Sequence, residues 1–390
     1  MGKTKTIYKG KQIITPTEVI DGGAIVVVDG KIEAILREAP AESGFQTIEL
    51  TDGIISPGFI DIHIHGGDGY DVMDGTYESL NGISTYLAST GTTGFLATTV
   101  TAEHEDILTA IHAAKECKTR GTEGASLLGV HLEGPFINIK QKGAQNPDCI
   151  RTPDHEELMG YIRLLEEDFK LITLAPEMDP DNQIITTARS SGVTVSAGHS
   201  CCSYEDAIKA FEAGVSHGTH LFNGMNALHH REPGLVGALL TDSRVSTEVI
   251  ADGIHLHPAT IRLVLAAKGL DKTVLITDCI RAGNLPDGDY ASGGLTINVN
   301  RGIARTKEGN LAGSTLSMIR AVENVVKLCD VPLDQAVHLA SRNPANVIGL
   351  GHRKGTIEVG KDADFIAITD DFEVLLTVVE GKVKFTKPHQ

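Results

Sequence analysis

The sequence predicts an α/β protein: a (β/α)8 TIM-like barrel carrying a small β-sandwich domain formed by both termini. Three observations lead there. The chain has 390 residues, more than one average domain needs and within the range of a large barrel with a small appendage. Through its centre, short apolar runs alternate eight times with helix-length amphipathic stretches, the pattern of parallel β/α units. Both ends instead alternate apolar runs with turn pairs, and neither holds enough strand to bury a core alone.

Taken in order, Thr6-Ile-Tyr8 opens a strand, and Ala24-Ile-Val-Val-Val28 is a second that runs into an Asp29-Gly30 turn. Barrel strands are expected to begin near Phe59, Phe95, Ser126, Leu171, Val193, Val215, Val245 and Lys272, with helices over 203–213 and 258–268 among those that follow them. The tail returns to β structure with Phe365-Ile-Ala-Ile368 and a Glu380-Gly381 turn. The division predicted is therefore residues 1–57 and 355–390 in the sandwich, and 58–354 in the barrel.

Composition narrows the function. Hydrophobic residues make up 41% and charged residues 22%, which suits a globular protein and excludes wholesale disorder. The formal net charge is −17. Such a chain repels nucleic acid and anionic membrane, so an anionic ligand needs a local basic pocket. Cys117, Cys149, Cys201, Cys202, Cys279 and Cys329 form no C-x-x-C motif, so reduced thiols and a cytoplasmic location are expected. No apolar run reaches the ~18 residues a membrane span needs. The start lacks the apolar centre of a signal peptide. Gly2 to Thr6 fits the loose myristoylation pattern, but the strand at Thr6 is the better reading.

Sixteen histidines are present, and their positions carry the chemistry. His63 and His65 close the first barrel strand at a spacing of two, which puts both side chains on one face. Glu133 follows the third strand, while His199 ends the fifth, His220 the sixth and Asp278 the eighth. In a barrel of this kind the catalytic groups lie at the C-terminal ends of the strands. An isolated histidine is ordinarily a surface or hydrogen-bonded residue, and His217, His229 and His230 are read so. His131 is too, although it falls near the site. Independent histidines have no reason to recur at successive strand ends, however. Imidazole with carboxylate suits zinc or iron better than magnesium or calcium. Cys279, beside Asp278, is read as packing.

The segment Pro57-Gly-Phe-Ile-Asp-Ile-His-Ile-His65 resembles the opening signature of the amidohydrolase superfamily. More narrowly, Leu132-Glu-Gly-Pro-Phe136, Ala197-Gly-His-Ser200, Gly218-Thr-His-Leu-Phe-Asn-Gly-Met225, Arg231-Glu-Pro-Gly234, Asp252-Gly-Ile-His255, Thr277-Asp278 and Leu311-Ala-Gly-Ser314 resemble the N-acetylglucosamine-6-phosphate deacetylase family. The likeness runs along essentially the whole chain.

That resemblance implies a metal-dependent barrel enzyme, in a homodimer, that removes the acetyl group from N-acetylglucosamine 6-phosphate. It implies a main metal site at Glu133, His199 and His220, and a second at His63 and His65, with one or two divalent ions per chain. Asp278 matches the catalytic acid/base. Ala144, Gln145, Asn223, Gly224, Arg231, Asp252, His255, Leu311, Ala312 and Gly313 match substrate-binding positions, and part of the phosphate pocket is expected from the neighbouring subunit. Gly224 and Cys279 stand where alanine is common, and Gln145 where some members carry a histidine. The alternatives are a deacetylase for N-acetylgalactosamine 6-phosphate, another amidohydrolase such as a cyclic-amide hydrolase, and a barrel that has lost its chemistry.

Overall fold

The structure, a computed structural model, describes residues 5–38 and 46–388; Gly2 lies outside them. Eight parallel strands form the central sheet: β1 (Phe59–Asp61), β2 (Thr92–Thr99), β3 (Ser126–Glu133), β4 (Phe169–Leu174), β5 (Thr194–Ala197), β6 (Val215–Gly218), β7 (Ser246–Ile250) and β8 (Thr273–Ile276). Each neighbours the next in chain order. A helix follows each strand: α1 (Tyr77–Ser89), α2 (His104–Arg120), α3 (His155–Leu165), α4 (Gln183–Ser190), α5 (Tyr204–Ala213), α6 (Gly234–Thr241), α7 (Pro258–Lys268) and α8 (Met318–Cys329). The observed strands begin within three residues of the eight expected starts. Local chemistry sets the helix starts: Thr76, Asp154 and Ser203 each accept a hydrogen bond from a backbone N–H of the first turn.

The first and last strands meet just beyond their ends. Asp278 N–H donates to the His63 carbonyl at 2.9 Å. Thr277 Oγ1 donates to the buried carboxylate of Asp61 at 2.5 Å. Burial pushes Asp61 up to about 7, against the lowering effect of the Thr277 bond. Two further helices, α9 (Leu333–Ala340) and α10 (Arg342–Val347), pack across both β1 and β8 and cover the seam. The ring this closes has a polar interior: Thr98, His131, Thr173, Thr219 and Ser196 form one buried hydrogen-bonded chain with links of 2.6–3.3 Å.

Both ends of the chain contribute to a second sheet. Its order is Lys382–Thr386, Val374–Val379, Phe365–Ile368, Gln46–Pro57, Lys5–Ile14, Ala24–Val28, Lys31–Leu36, with Val19–Asp21 also on Lys5–Ile14. The expected terminal β domain is present, its strands joined in one eight-stranded sheet with a core of Tyr8, Ile13, Ile25, Ile55, Phe365 and Val378. Its two edge hairpins turn at Asp29-Gly30 and Glu380-Gly381, all four residues at positive φ, the geometry that suits tight hairpins. The two tips touch, and a Cβ on Gly381 would lie 2.7 Å from the Gly30 Cα.

One element was not expected. Between β8 and α8 the chain forms a three-stranded antiparallel sheet, Gly288–Ser292, Leu295–Asn300 and Ile303–Arg305. Ile297 and Val299 alternate with exposed Thr296, Asn298 and Asn300, a period-two signal that is short and easily read as loop. Its apolar face packs on Ile280 and Ala312, which holds the 311–313 segment over the barrel mouth.

A buried ion cluster fastens the chain where it leaves the barrel for the terminal sheet. Lys354, 2% exposed, pairs with Asp364 at 2.6 Å and Asp362 at 2.9 Å. Asp362 also meets Lys31 and Arg353. Against the opposing effect of burial, the Lys31 hydrogen bond and the Lys354 charge hold Asp362 down to about 2. Removing one member of a buried pair leaves an uncompensated charge, which costs about 3–5 kcal/mol. Lys354→Met is therefore expected to lower unfolding stability at pH 7 by that amount, read from denaturant titration. An unchanged midpoint would contradict the role of this cluster.

Candidate active site

The strand ends that were expected to carry chemistry share an unusual backbone feature. His199, His220 and Asp278 follow β5, β6 and β8 with φ of 48°, 26° and 50°. Left-handed backbone at a non-glycine residue costs of order 1–3 kcal/mol and persists only when the surroundings enforce it. Here it breaks each strand's direction at the rim and brings these residues to the barrel mouth. Glu133 needs no such kink, since it is the last residue of β3.

The side chains converge on Glu133, which is 2% exposed. His199 Nε2 and His220 Nε2 lie 3.1 Å from its Oε1, and His63 Nε2 lies 3.3 Å from the same oxygen. His65 Nε2 lies 3.3 Å from Oε2 and 3.2 Å from Asp278 Oδ1. Each ring is held from behind through Nδ1. His65 faces the Thr98 carbonyl at 3.1 Å, His199 the Gln141 carbonyl at 2.7 Å and His220 the Asn223 carbonyl at 3.0 Å. His63 faces the carboxylate of Glu248 at 3.0 Å. These partners are acceptors only, so Nδ1 must carry the proton and Nε2 is left as a lone pair.

That arrangement is a cation site by its own chemistry. Four lone-pair nitrogens face one carboxylate, and two of them, on His199 and His220, are only 3.2 Å apart. His63 Nε2 is buried with no hydrogen-bond partner among the described residues. Positive charge must fill the middle, as protons or as a metal. The electrostatics agree. Burial opposes a charge on His65, yet hydrogen bonds that its ring donates to the Asp278 and Glu133 carboxylates when protonated lift it to about 10. Burial likewise opposes ionisation of Glu133, but the His63 charge and the His199 and His220 bonds hold it well below the usual carboxylate range. Asp278 is held low in the same way, by His65 first. His63, His65 and Glu133 form one group with metal-ligand proximity, and Glu133, His199 and His220 another. Imidazole and carboxylate together fit Zn²⁺ or Fe²⁺.

Above this cluster opens a pocket of about 500 Å³. Ala144, Gln145, Asn223, Gly224, His255, Leu311, Ala312 and Gly313 line it with His65, Glu133, His199, His220 and Asp278. Gly224 has φ +60°, and a Cβ there would come within 2.9 Å of the His199 ring, so the bare backbone lets this loop lie against the histidine. Gln145 spans two partners, donating to Glu133 Oε2 at 2.6 Å and accepting from Thr101 N–H at 2.8 Å.

Two expected substrate contacts lie elsewhere. Asp252 sits behind His255, accepting from its Nδ1 at 2.7 Å and from the backbone N–H of residues 254 and 255; it aims that ring rather than lining the pocket. Arg231 is exposed and outside the pocket, with His230 Nε2 as its side-chain partner at 2.9 Å. Lys140 and Lys142, which line the pocket, were not singled out in the sequence, and neither was Glu248. Nothing around Lys140 or Lys142 resembles a motif. Of the histidines read as structural, His131 lies beside His63 at a ring separation of 4.7 Å. His217 bonds Glu248 at 3.3 Å.

Residues 54–384 match the model of the amidohydrolase family. The chain is 40% identical over 383 residues to the N-acetylglucosamine-6-phosphate deacetylase of Bacillus subtilis (strain 168), covering 97% of each. It is 36% identical over 377 residues to the N-acetylgalactosamine-6-phosphate deacetylase of Escherichia coli O157:H7, covering 97% of this chain and 98% of that one. Among solved structures it is similar to a variant of N-acetyl-D-glucosamine-6-phosphate deacetylase from Mycobacterium smegmatis in complex with N-acetyl-D-glucosamine-6-phosphate. The TM-score is 0.91 and the identity 30%, over 98% of this chain and 100% of that one. The chain belongs to the amidohydrolase family. Within it, these relatives are deacetylases of amino-sugar phosphates.

Glu133 is the carboxylate common to both ligand groups. Glu133→Gln keeps its shape and removes its charge, so the affinity for Zn²⁺ should fall by at least ~10²-fold, beyond the 10–100-fold typical of losing a supporting partner. Metal analysis after dialysis against a chelator reads this directly. Full loading in the variant would contradict the assignment.

Proposed function

We propose that this protein hydrolyses the acetamide of N-acetylglucosamine 6-phosphate, giving glucosamine 6-phosphate and acetate. The observation that carries the reading is the convergence of four imidazoles and Asp278 on Glu133, at the floor of a pocket open to solvent. Deacetylase relatives that match nearly the whole chain support it.

Amide hydrolysis needs a better nucleophile than water and a proton for the departing amine. A divalent cation held by Glu133, His199 and His220, with a second between His63, His65 and Glu133, would lower the pKa of water and polarise the acetyl carbonyl. The protein's own groups do the rest. Asp278 lies at the pocket floor and is held ionised, so it accepts the proton of the attacking water and returns it to the sugar nitrogen. Gln145 keeps Glu133 in one orientation. His255, fixed by Asp252, presents its Nε2 edge to the pocket. Asn223 and the unencumbered backbone of Gly224 also line the pocket.

The phosphate needs cations that a chain of net charge −17 does not supply at long range. His255, Lys140 and Lys142 face the pocket. We read Arg231, exposed on its loop and without an acidic partner among the described residues, as reaching the pocket of a second copy in a homodimer. The substrate is a phosphorylated metabolite, and the cysteines are unpaired; both support a cytoplasmic setting. No described helix is long and apolar enough to cross a membrane.

The second reading, N-acetylgalactosamine 6-phosphate as substrate, is favoured by the 36% identical relative with that name. Acetate release from the two phosphosugars, measured side by side, decides between them, with the glucosamine epimer expected to be faster. A reversed preference would move the assignment, and no release from either would overturn it. Asp278→Asn should lower kcat by at least ~10²-fold while bound metal stays near its usual level. Loss of metal instead would make Asp278 chiefly a ligand. Arg231→Ala should weaken kcat/KM for the phosphorylated sugar by roughly 10–150-fold, the equivalent of one charge-assisted hydrogen bond. Mixing Arg231→Ala with Asp278→Asn chains should restore activity if the arginine acts across the dimer; no recovery would place it in its own chain's site.

A further inference from the structure

Glu248 has no place in the chemistry so far, yet it is a fully buried carboxylate beside the site. It lies in the middle of β7 and has no exposed surface. Four of the five residues of this strand are uncharged, Ser246, Thr247, Val249 and Ile250, and Glu248 points into the barrel beneath the mouth. A buried carboxylate without partners is costly, and this one has three. Oε2 accepts from His63 Nδ1 at 3.0 Å and from the His220 backbone N–H at 3.0 Å. Oε1 faces His217 Nε2 at 3.3 Å, and His217 Nδ1 is fixed in turn by Ser246 Oγ at 2.7 Å.

The partners differ in kind across the four imidazoles that face Glu133. His65, His199 and His220 each rest on a neutral backbone carbonyl. His63 alone among them rests on a carboxylate. A charged acceptor behind a ring pins the Nδ1–H tautomer more firmly than a carbonyl does, and makes Nε2 a more basic ligand. Ser246, His217 and Glu248 together form a relay that ends on the His63 ring, whose buried Nε2 has no hydrogen-bond partner among the described residues.

We propose that Glu248 is a positioning residue for the second cation: through His63 it fixes the tautomer, orientation and donor strength of the pair His63 and His65, and so commits this chain to carrying two ions rather than one. This rests on the metal reading above. It goes beyond it by assigning the second site's strength to a residue that touches neither ion nor substrate. The link to the His220 backbone gives Glu248 a further hold on the rim, but at a peptide group, so the donor atom of the first site does not depend on its charge.

The test is a metal titration of the intact chain, with competing chelator, that resolves two binding steps. The unaltered protein should bind two ions. One ion at most would overturn the two-ion reading itself, and this shows before any variant is compared. In Glu248→Gln the amide oxygen can still accept from His63 and His220 while the charge is gone. The second step should then weaken by roughly 10–100-fold, with the first step within a few-fold of its usual value. Glu248→Asp, which keeps the charge on a shorter arm, should recover part of the loss. Equal weakening of both steps in a protein that still unfolds cooperatively would make Glu248 a general scaffold residue and overturn the proposal. So would two unchanged steps. If Glu248→Gln does not fold, His217→Ala leaves the carboxylate charged but loosens it from behind. It should weaken the second step alone, by less; no selective effect would again count against the proposal.

Discussion

One buried carboxylate organises this molecule. Glu133 is approached by four imidazole nitrogens within 3.3 Å, and each of those rings is held by an acceptor that forces its lone pair inward. Without a cation the cluster is a concentration of electron pairs in a largely buried place, which folding alone would select against. The barrel accepts that penalty in a particular way. It places the groups where the strands end, lets the backbone turn at three left-handed residues, and backs every ring with a hydrogen bond. Stability is given up at the mouth and recovered around it, in the fully buried apolar core that surrounds the strands.

The layers of the barrel follow from the same constraint. Beneath the imidazoles, inward positions of the strands carry Thr98, His131, Thr173, Ser196 and Glu248, joined by Thr219 just past β6, all buried and hydrogen-bonded. An all-apolar interior would fill the space equally well, but it would offer the rings nothing to lean on. The insertion after β8 serves the other side of the pocket. Its small sheet has its own apolar contacts, and it brings the 311–313 backbone over the site without asking the barrel to change. The terminal sheet lies apart from the chemistry, and the Lys354 cluster ties it to the point where the chain leaves the barrel.

Much of this was legible in the sequence, for physical reasons. His63 and His65 share a face because strand side chains alternate, and the recurrence of His199, His220 and Asp278 at the ends of apolar runs marks a common rim. The eight strand starts are visible because each strand is short, apolar and bounded. What escaped is what depends on three-dimensional closure. Glu248 sits in Ser246–Ile250, where a single glutamate reads as the solvent side of a strand; only the closed barrel turns it inward. The carbonyls of Gln141 and Asn223 that fix two rings carry no sequence signature, since any residue has a carbonyl. Asp252 looked like a substrate contact because it shares a motif with His255, and the structure shows it serving that histidine. Arg231 matched a phosphate-binding position, and its exposed place outside this chain's pocket is a fact that a single chain cannot reveal in sequence.

The central claim is that cations, and not protons, fill the space between these rings. Anomalous X-ray scattering from crystals of the metal-loaded protein, collected on either side of the zinc or iron absorption edge, locates those ions independently of any assay. The account predicts one peak bounded by Glu133, His199 and His220 and a second bounded by His63, His65 and Glu133, with Glu133 between them. A protein that hydrolyses its substrate with no peak in this cluster, or with its metal held elsewhere, would contradict it.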